Sequence, residues 1–236
     1  MRINKKLLSL LTASIALMGI SGCSQRISAL NDTMKLAFVG DSDVKLTTEQ
    51  VKANPYASIY VKIDDTPQAF VVLAFAEPKQ TLTPVRPVPE VIELKWLSAD
   101  NAMLVTVNGR LVKTQSLLTG NLAAIESSEP DPILLGLHLS STPKTWTRTI
   151  DWQPGYHYGY KIKSQFAFIA EEEILINDTP TQALHYSELV SVEGLNIQYQ
   201  NEFWLKPDNG HVIKSRQKIA PNLPFIDITL LKPFAS

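Results

Sequence analysis

Cysteine occurs once in the 236 residues, at Cys23. A single thiol excludes an intrachain disulfide and any zinc site built on several cysteines. Histidine is also scarce: His138, His157, His185 and His211 stand far apart, without the close spacing of metal ligands. The chain has no G-x-S-x-G elbow, no H-E-x-x-H helix, no P-loop and no G-x-G-x-x-G turn. Neither sign of charge dominates, with 22 basic residues against 23 acidic ones. The basic surplus of a nucleic-acid binder is therefore missing. These absences predict a protein that is not an enzyme and holds no cofactor and no metal. The densest acidic run, Glu171-Glu172-Glu173, would alternate faces of a strand, which does not oppose two carboxylates across a glycosidic bond. It reads as a solvated turn at a strand entrance. Asp151 and Asp227 fall in or at the end of expected strands, and nothing in the sequence pairs them.

What the chain does have begins at its N-terminus. Arg2, Lys5 and Lys6 precede residues 7–22, LLSLLTASIALMGISG, which carry no charge. These 16 residues fall short of the roughly 20 that a spanning helix needs. A cationic start, a short apolar stretch and small residues before a cleavage point describe a secretory signal over residues 1–22. Ile20-Ser21-Gly22-Cys23 resembles the bacterial lipobox, in which the cysteine receives the lipid and becomes the first residue of the mature chain. Cys23 is thus the expected lipid attachment site. Ser24, where an aspartate commonly retains such proteins at the inner membrane, is compatible with transport to the outer membrane. Three of the 22 basic residues lie in the leader, so residues 23–236 carry 19 against 23 acidic ones, a formal charge of −4.

Past the leader, over residues 26–39, Ile27, Leu30, Met34 and Phe38 recur at helical spacing, as in a short amphipathic helix or equally a tether that packs on the sheet. Thr47 and Gln50 offer a capping box for a short helix over about 47–53. Strand patterns then take over: 57–63, 69–75, 91–97, 145–152, 156–168, 174–178, 183–193, 197–205, 211–219 and 225–231. Asn108-Gly109, between MLVTV and RLVKT, supplies the two positive-φ residues of a type I′ hairpin. Pro207-Asp208-Asn209-Gly210 marks a second hairpin, and Asp178-Thr179-Pro180 a third turn. The segment 131–139 reads as a short helix in a connection. Prolines at 78, 84, 87 and 89 make 78–89 an extended loop. Hairpin connections and few helices point to one antiparallel all-β domain over residues 23–236.

Two rows of side chains invite a functional reading. Tyr156, Tyr158, Tyr160, Ile162, Phe166 and Phe168 share one face of a period-two pattern that only Ser164 interrupts, with His157 opposite. They form core, or line a groove for sugar or lipid. Lys214, Arg216 and Lys218 alternate along one strand and point to one side. They form a site for an acidic polysaccharide or a lipid headgroup, or the solvated edge of a sheet.

The segment Lys95-Trp96-Leu97-Ser98, Asp100-Asn101-Ala102-Met103-Leu104-Val105-Thr106 and Asn108-Gly109-Arg110-Leu111 resembles the YjbF/GfcB-type lipoproteins named for group 4 capsule polysaccharide. Further support comes from NPYASIYVKI at 54–63, TWTRTIDW at 145–152, NEFWLKPDNGHVIKSRQ at 201–217 and TLLKP at 229–233. Against the family pattern the proline-rich stretch looks like an insertion. The resemblance implies a strongly curved antiparallel sheet, a half-barrel similar to lipoprotein-carrier folds, with a few short helices. It also implies an outer-membrane lipoprotein, facing the periplasm, that serves exopolysaccharide or capsule production without catalytic residues. Its partners would be the outer membrane, through acylated Cys23, and the export machinery or an acidic glycan. The alternatives are a lipid- or acyl-binding carrier and a polysaccharide-modifying enzyme.

Overall fold

The computed structural model describes residues 42–78 and 91–235. The leader, Cys23, the helix or tether read at 26–39 and all but the first residue of the proline-rich stretch lie outside them. Among the described residues one helix forms, α1 (Thr48–Ala53). Its capping box is made as expected: Thr47 Oγ1 accepts the Gln50 N–H at 3.2 Å, and Gln50 Oε1 accepts the Thr47 N–H at 2.8 Å.

Twelve strands follow: β1 (Ser58–Ile63), β2 (Ala69–Pro78), β3 (Ile92–Leu97), β4 (Met103–Val107), β5 (Arg110–Gln115), β6 (Asn121–Glu126), β7 (Thr145–Gln153), β8 (His157–Ile176), β9 (Thr179–Val192), β10 (Ile197–Leu205), β11 (Val212–Lys218) and β12 (Phe225–Lys232). They form one sheet in the order β5-β4-β3-β2-β1-β12-β11-β10-β9-β8-β7-β6, with every neighbouring pair antiparallel. First and last strands pair, so the two ladder edges are β5 and β6, which are consecutive in the chain. Side chains bridge that seam. Buried Thr114 of β5 accepts the Leu122 N–H of β6 at 2.9 Å, and its hydroxyl lies 3.2 Å from Asn121 Oδ1. The expected all-β single sheet is present, and its curvature carries past a half-barrel to a nearly closed barrel.

An up-and-down order places alternate connections at opposite ends. The first mouth carries the turns at 64–67, 98–102, 116–120, 154–156, 193–196 and 219–224. The second carries the Asn108-Gly109 turn, the long connection 127–144 and the turn at 206–211. Asn108 and Gly109 have φ of 45° and 81°, the positive pair of a type I′ hairpin. At the β8–β9 turn the positive φ values belong to Asn177 and Asp178, one residue earlier than expected. Asn and Asp tolerate this backbone, whereas proline is held at negative φ, so Pro180 falls within the start of β9 instead.

The segment 131–139 is a series of turns, not a helix. Gly136 at φ 86° breaks any helical run, and side chains satisfy the backbone in its place. Asp131 Oδ1 accepts the Ile133 N–H at 3.0 Å, Thr142 donates to Gly136 O at 2.7 Å and Lys144 donates to Leu137 O at 2.6 Å. Strand β8 also departs from strict alternation. Gly159 takes φ 67° and its N–H donates to Asp151 Oδ1 at 2.6 Å; a register shift follows between Phe168 and Ala170. His157 therefore joins Tyr160 on the inner side and stacks on Trp152 at 4.4 Å, while Tyr156, Tyr158 and Phe168 are exposed. Only the stretch Tyr160–Phe166 follows the single alternating face that the sequence suggests.

Two apolar clusters fill the barrel. One gathers Ile59, Val71, Trp96, Ile150, Ile162, Val190, Val192 and Ile226 among others; the second gathers Ile133, Leu137, Trp146, Phe166, Tyr186, Phe203 and Leu205. A smaller cluster on the outer face packs Tyr60, Phe70 and Val72 against Val44, Leu46 and Tyr56.

Candidate functional site

Between the two interior clusters lies a polar layer one residue deep. On β7, Arg148 separates Trp146 from Ile150; on β8, Ser164 separates Phe166 from Ile162. On β9, Glu188 separates Tyr186 from Val190; on β10, Asn201 separates Phe203 from Tyr199. Period two thus aims each polar side chain into the same level of the barrel. Arg110, at the start of β5, completes the layer. Its guanidinium donates from Nη1 to Glu188 Oε2 at 2.6 Å, and from Nε and Nη2 to the two Asp131 oxygens at 2.6 and 3.2 Å. Arg148 Nη1 lies 3.2 Å from Glu188 Oε1 and donates to Ser164 Oγ at 2.6 Å. Asn201 Nδ2 donates to Glu188 Oε2 at 2.9 Å. Both guanidinium groups lie over the Trp146 ring, Arg110 at 5.1 Å and Arg148 at 4.4 Å from its centre.

The two cations and two carboxylates cancel in charge, and Glu188 is 0 % exposed. Burial alone would raise its carboxyl pKa. The guanidinium groups of Arg110 and Arg148, with hydrogen bonds from Arg110 and Asn201, hold it at about 2. Burial would lower the Arg110 pKa, and Asp131 and Glu188 outweigh that to raise it. Burial lifts the nearby Tyr199 phenol to about 12. Each carboxylate here faces a guanidinium and each guanidinium a carboxylate, the arrangement of a buried ion-pair network, in which Arg148 Nε and Glu188 Oε1 make no hydrogen bond.

The Asn108–Leu111 segment serves this interior. Asn108 Nδ2 donates to Ile133 O at 2.8 Å, Gly109 O accepts from Gln217 Nε2 at 2.8 Å, and the Leu111 N–H donates to Gln217 Oε1 at 3.0 Å. A hairpin alone, the explanation that its sequence offers, is therefore incomplete: the turn also ties β5 to the long connection and, across the barrel, to β11.

Lys214, Arg216 and Lys218 lie together on the outer face of β11. That strand is paired with β10 on one side and β12 on the other, so they are not the solvated edge considered above. Each cation covers an aromatic ring: Lys214 lies 5.1 Å from Trp204, Arg216 4.8 Å and Lys218 4.4 Å from Phe225. Arg216 also pairs with Asp227 at 2.9 Å. Burial raises the Asp227 pKa, against the pull of Arg216, Lys214 and Lys62.

Beside this row, His185 stacks on Trp204 at 4.5 Å, with Glu172 Oε1 3.2 Å from its Nδ1 and Glu202 Oε2 2.7 Å from its Nε2. Glu172 also accepts from Trp204 Nε1 at 2.6 Å. The glutamate run is consequently not a turn: it lies well inside the 20-residue strand β8. Among the described residues no group of three His, Cys, Asp or Glu side chains could hold a metal ion. A cleft of about 410 Å³ opens at the second mouth, walled by Ile59, Leu94, Trp96, Ile213, Ile228 and Phe234. The sequence does not announce the ion cluster, but a trace of it is visible: in TWTRTIDW the face Trp146, Arg148, Ile150, Trp152 holds one charge among apolar residues.

Residues 31–231 match the family model described as group 4 capsule polysaccharide lipoprotein gfcB, YjbF. Two Escherichia coli (strain K12) proteins are similar over nearly the whole chain. The uncharacterized lipoprotein GfcB is 31% identical over 94% of this chain and 98% of its own. The uncharacterized lipoprotein YjbF is 29% identical over 90% and 92%. The crystal structure of the hypothetical lipoprotein YmcC from E. coli (K12) superposes with a TM-score of 0.67 at 31% identity, covering 81% of this chain and 91% of that one. The resemblance drawn from residues 95–111 thus extends across the barrel, and the chain belongs to the group 4 capsule polysaccharide lipoprotein family.

Proposed function

We propose that this protein is a lipid-anchored, non-enzymatic accessory factor in the secretion or assembly of an extracellular polysaccharide, held through Cys23 on the periplasmic side of the outer membrane. The observation that carries this reading is the family match over residues 31–231, joined to the lipobox at 20–23. The interior chemistry supports a non-catalytic role, because the buried charges neutralise one another. The outward row Lys214, Arg216, Lys218 is the surface best suited to an acidic glycan or to a component of the export machinery, since the aromatic rings beneath hold three cations together on one face. Deleting the gene and measuring surface polysaccharide tests the role: the expected outcome is less polymer or shorter chains, and unchanged amount and length would overturn it. Crosslinking in vivo from a photoreactive residue at Arg216 tests the surface, with capture of glycan or an export component expected.

A second reading, an acyl-binding carrier, is favoured by the cleft of about 410 Å³, a volume within the ordinary range for small-ligand sites, whose apolar walls are joined by Thr106, Asn108, His211 and Lys214. Native mass spectrometry of the purified protein decides it, since a carrier would retain lipid.

A further inference from the structure

The described chain begins at the first mouth, where Ser42 and Leu118 line the same cavity of about 250 Å³, and joins the barrel as β1 from the other end. Leu118, on the β5–β6 loop, is 103% exposed, and Tyr156, on the β7–β8 turn, is 93% exposed. A lone exposed leucine needs no explanation, but these two side chains crown neighbouring loops. Asn121 and Gln153 are paired residues of β6 and β7, and a Cβ on Gly120 would sit 2.5 Å from Gln153 O and 2.9 Å from Pro154 Cδ. Tyr158, just inside the same turn, is also exposed. The two most exposed large apolar side chains of the described residues, Leu118 and Tyr156, therefore share one sector of one mouth, the mouth at which the described chain begins.

We infer that this sector, the tips of the β5–β6 loop and the β7–β8 turn, docks on the lipid surface, with Leu118 and Tyr156 entering the headgroup region. The inference rests on the lipid anchor proposed at Cys23. Cys23 and Ser42 lie 19 positions apart, a reach of at most about 65 Å, so the anchor keeps this mouth within range of the bilayer. Leucine gains from leaving water, and tyrosine suits the interface because its ring is apolar and its hydroxyl polar. The other turns of this mouth carry Asp64, Asp65, Asp100 and Glu193, but Glu193 pairs with Lys161 at 3.8 Å and Lys163 at 2.6 Å, and Lys218 lies near Asp64, so no cationic surplus draws this mouth to anionic lipid. A zwitterionic surface, such as phosphatidylethanolamine, suffices. Docking then depends on apolar contact and changes little with salt. It leaves the second mouth, with its cleft, turned away from the membrane.

The test uses the full-length lipidated protein. Acylation consumes Cys23, so Leu118→Cys, Tyr156→Cys and, at the second mouth, Asn209→Cys each present a single free thiol. Each variant is labelled with an environment-sensitive fluorophore, reconstituted into phosphatidylethanolamine-rich vesicles and floated on a density gradient. The expected result is flotation of all three, with several-fold stronger quenching by headgroup-proximal brominated lipids at 118 and 156 than at 209. Flotation with no quenching at 118 and 156, or with equal quenching at all three positions, overturns the docking while the anchor stands. Failure to float removes the anchor, and the docking with it.

Discussion

The Arg110 guanidinium donates to Glu188 Oε2 at 2.6 Å across 78 positions of sequence. This contact joins β5, one lip of the seam, through the interior of the curled sheet to β9, eight places along the ladder and four across the seam. It therefore closes the barrel where the backbone ladder does not. Asp131 grips the same guanidinium from the long connection and so pulls the floor of the second mouth into the same unit.

Glu188→Gln should cost about 3–5 kcal/mol, because it leaves Arg110 and Arg148 buried beside a neutral amide. Removing a neighbouring cation as well should cost less than the two single losses together. Urea denaturation of Glu188→Gln, Arg148→Met and the double variant measures this, with a coupling energy of about 1–3 kcal/mol expected. Strict additivity would mean that the layer is not one cooperative unit.

The same carboxylate sets an acid limit. Glu188 is held at about 2 in the folded protein, against an ordinary value of 4.5. Between these values the unfolded chain binds the proton and the folded chain does not, so stability falls as pH falls. The contribution is fully present above about pH 5 and is lost progressively toward pH 2, about 3 kcal/mol in all. Urea midpoints taken from pH 7 to pH 3 should drop for the wild type through this window, and Glu188→Gln should flatten the drop.

Thr114 offers a local test of the seam. Its hydroxyl accepts the Leu122 N–H, and both residues are buried. Thr114→Val keeps the shape and strands that N–H, at a cost of about 1–3 kcal/mol. Thr114→Ser keeps the acceptor and should cost less. Hydrogen exchange at Leu122 should accelerate in the valine variant ahead of the β8–β9 ladder; equal protection would mean that the seam does not open on its own.

Hairpins and faces were legible because their signals are local. Asn108-Gly109 states its turn in two residues, and Thr47 with Gln50 states a helix start in four. The ion cluster was not, because Arg110, Asp131, Arg148 and Glu188 carry no shared spacing and meet only when the sheet closes. Ser164 shows the difference well: it interrupts an apolar row in the sequence, and in the fold it is the hydroxyl that takes Arg148. Strand β11 looked like an edge because alternating cations are what edges carry; its central place follows from the β1–β12 pairing, which no local pattern announces. The helix expected at 131–139 failed for the opposite reason. Its apolar run is real, but Ile133 and Leu137 are buried as isolated anchors of a turn whose carbonyls Thr142 and Lys144 satisfy.

Gly109 and Gly194 both have positive φ, 81° and 82°, yet substitution should separate them. At Gly194 a Cβ would meet nothing within 4 Å, so Gly194→Ala should cost only the backbone term, about 1 kcal/mol. At Gly109 a Cβ would overlap the Val212 side chain, which belongs to the apolar cluster of the second mouth. Relief requires β11 to move, and β11 carries Gln217, whose amide holds the Gly109 carbonyl and the Leu111 N–H. Gly109→Ala should therefore lose well over 2 kcal/mol, more than the backbone term allows. Pairing it with Val212→Gly removes the Val212 Cβ as well as its methyls, relieves the overlap and should recover part of the loss, despite the cavity and backbone freedom this second change leaves. Thermal unfolding of the four proteins reads the result: no recovery in the double variant would show that strain in the turn, and not contact with β11, governs this position.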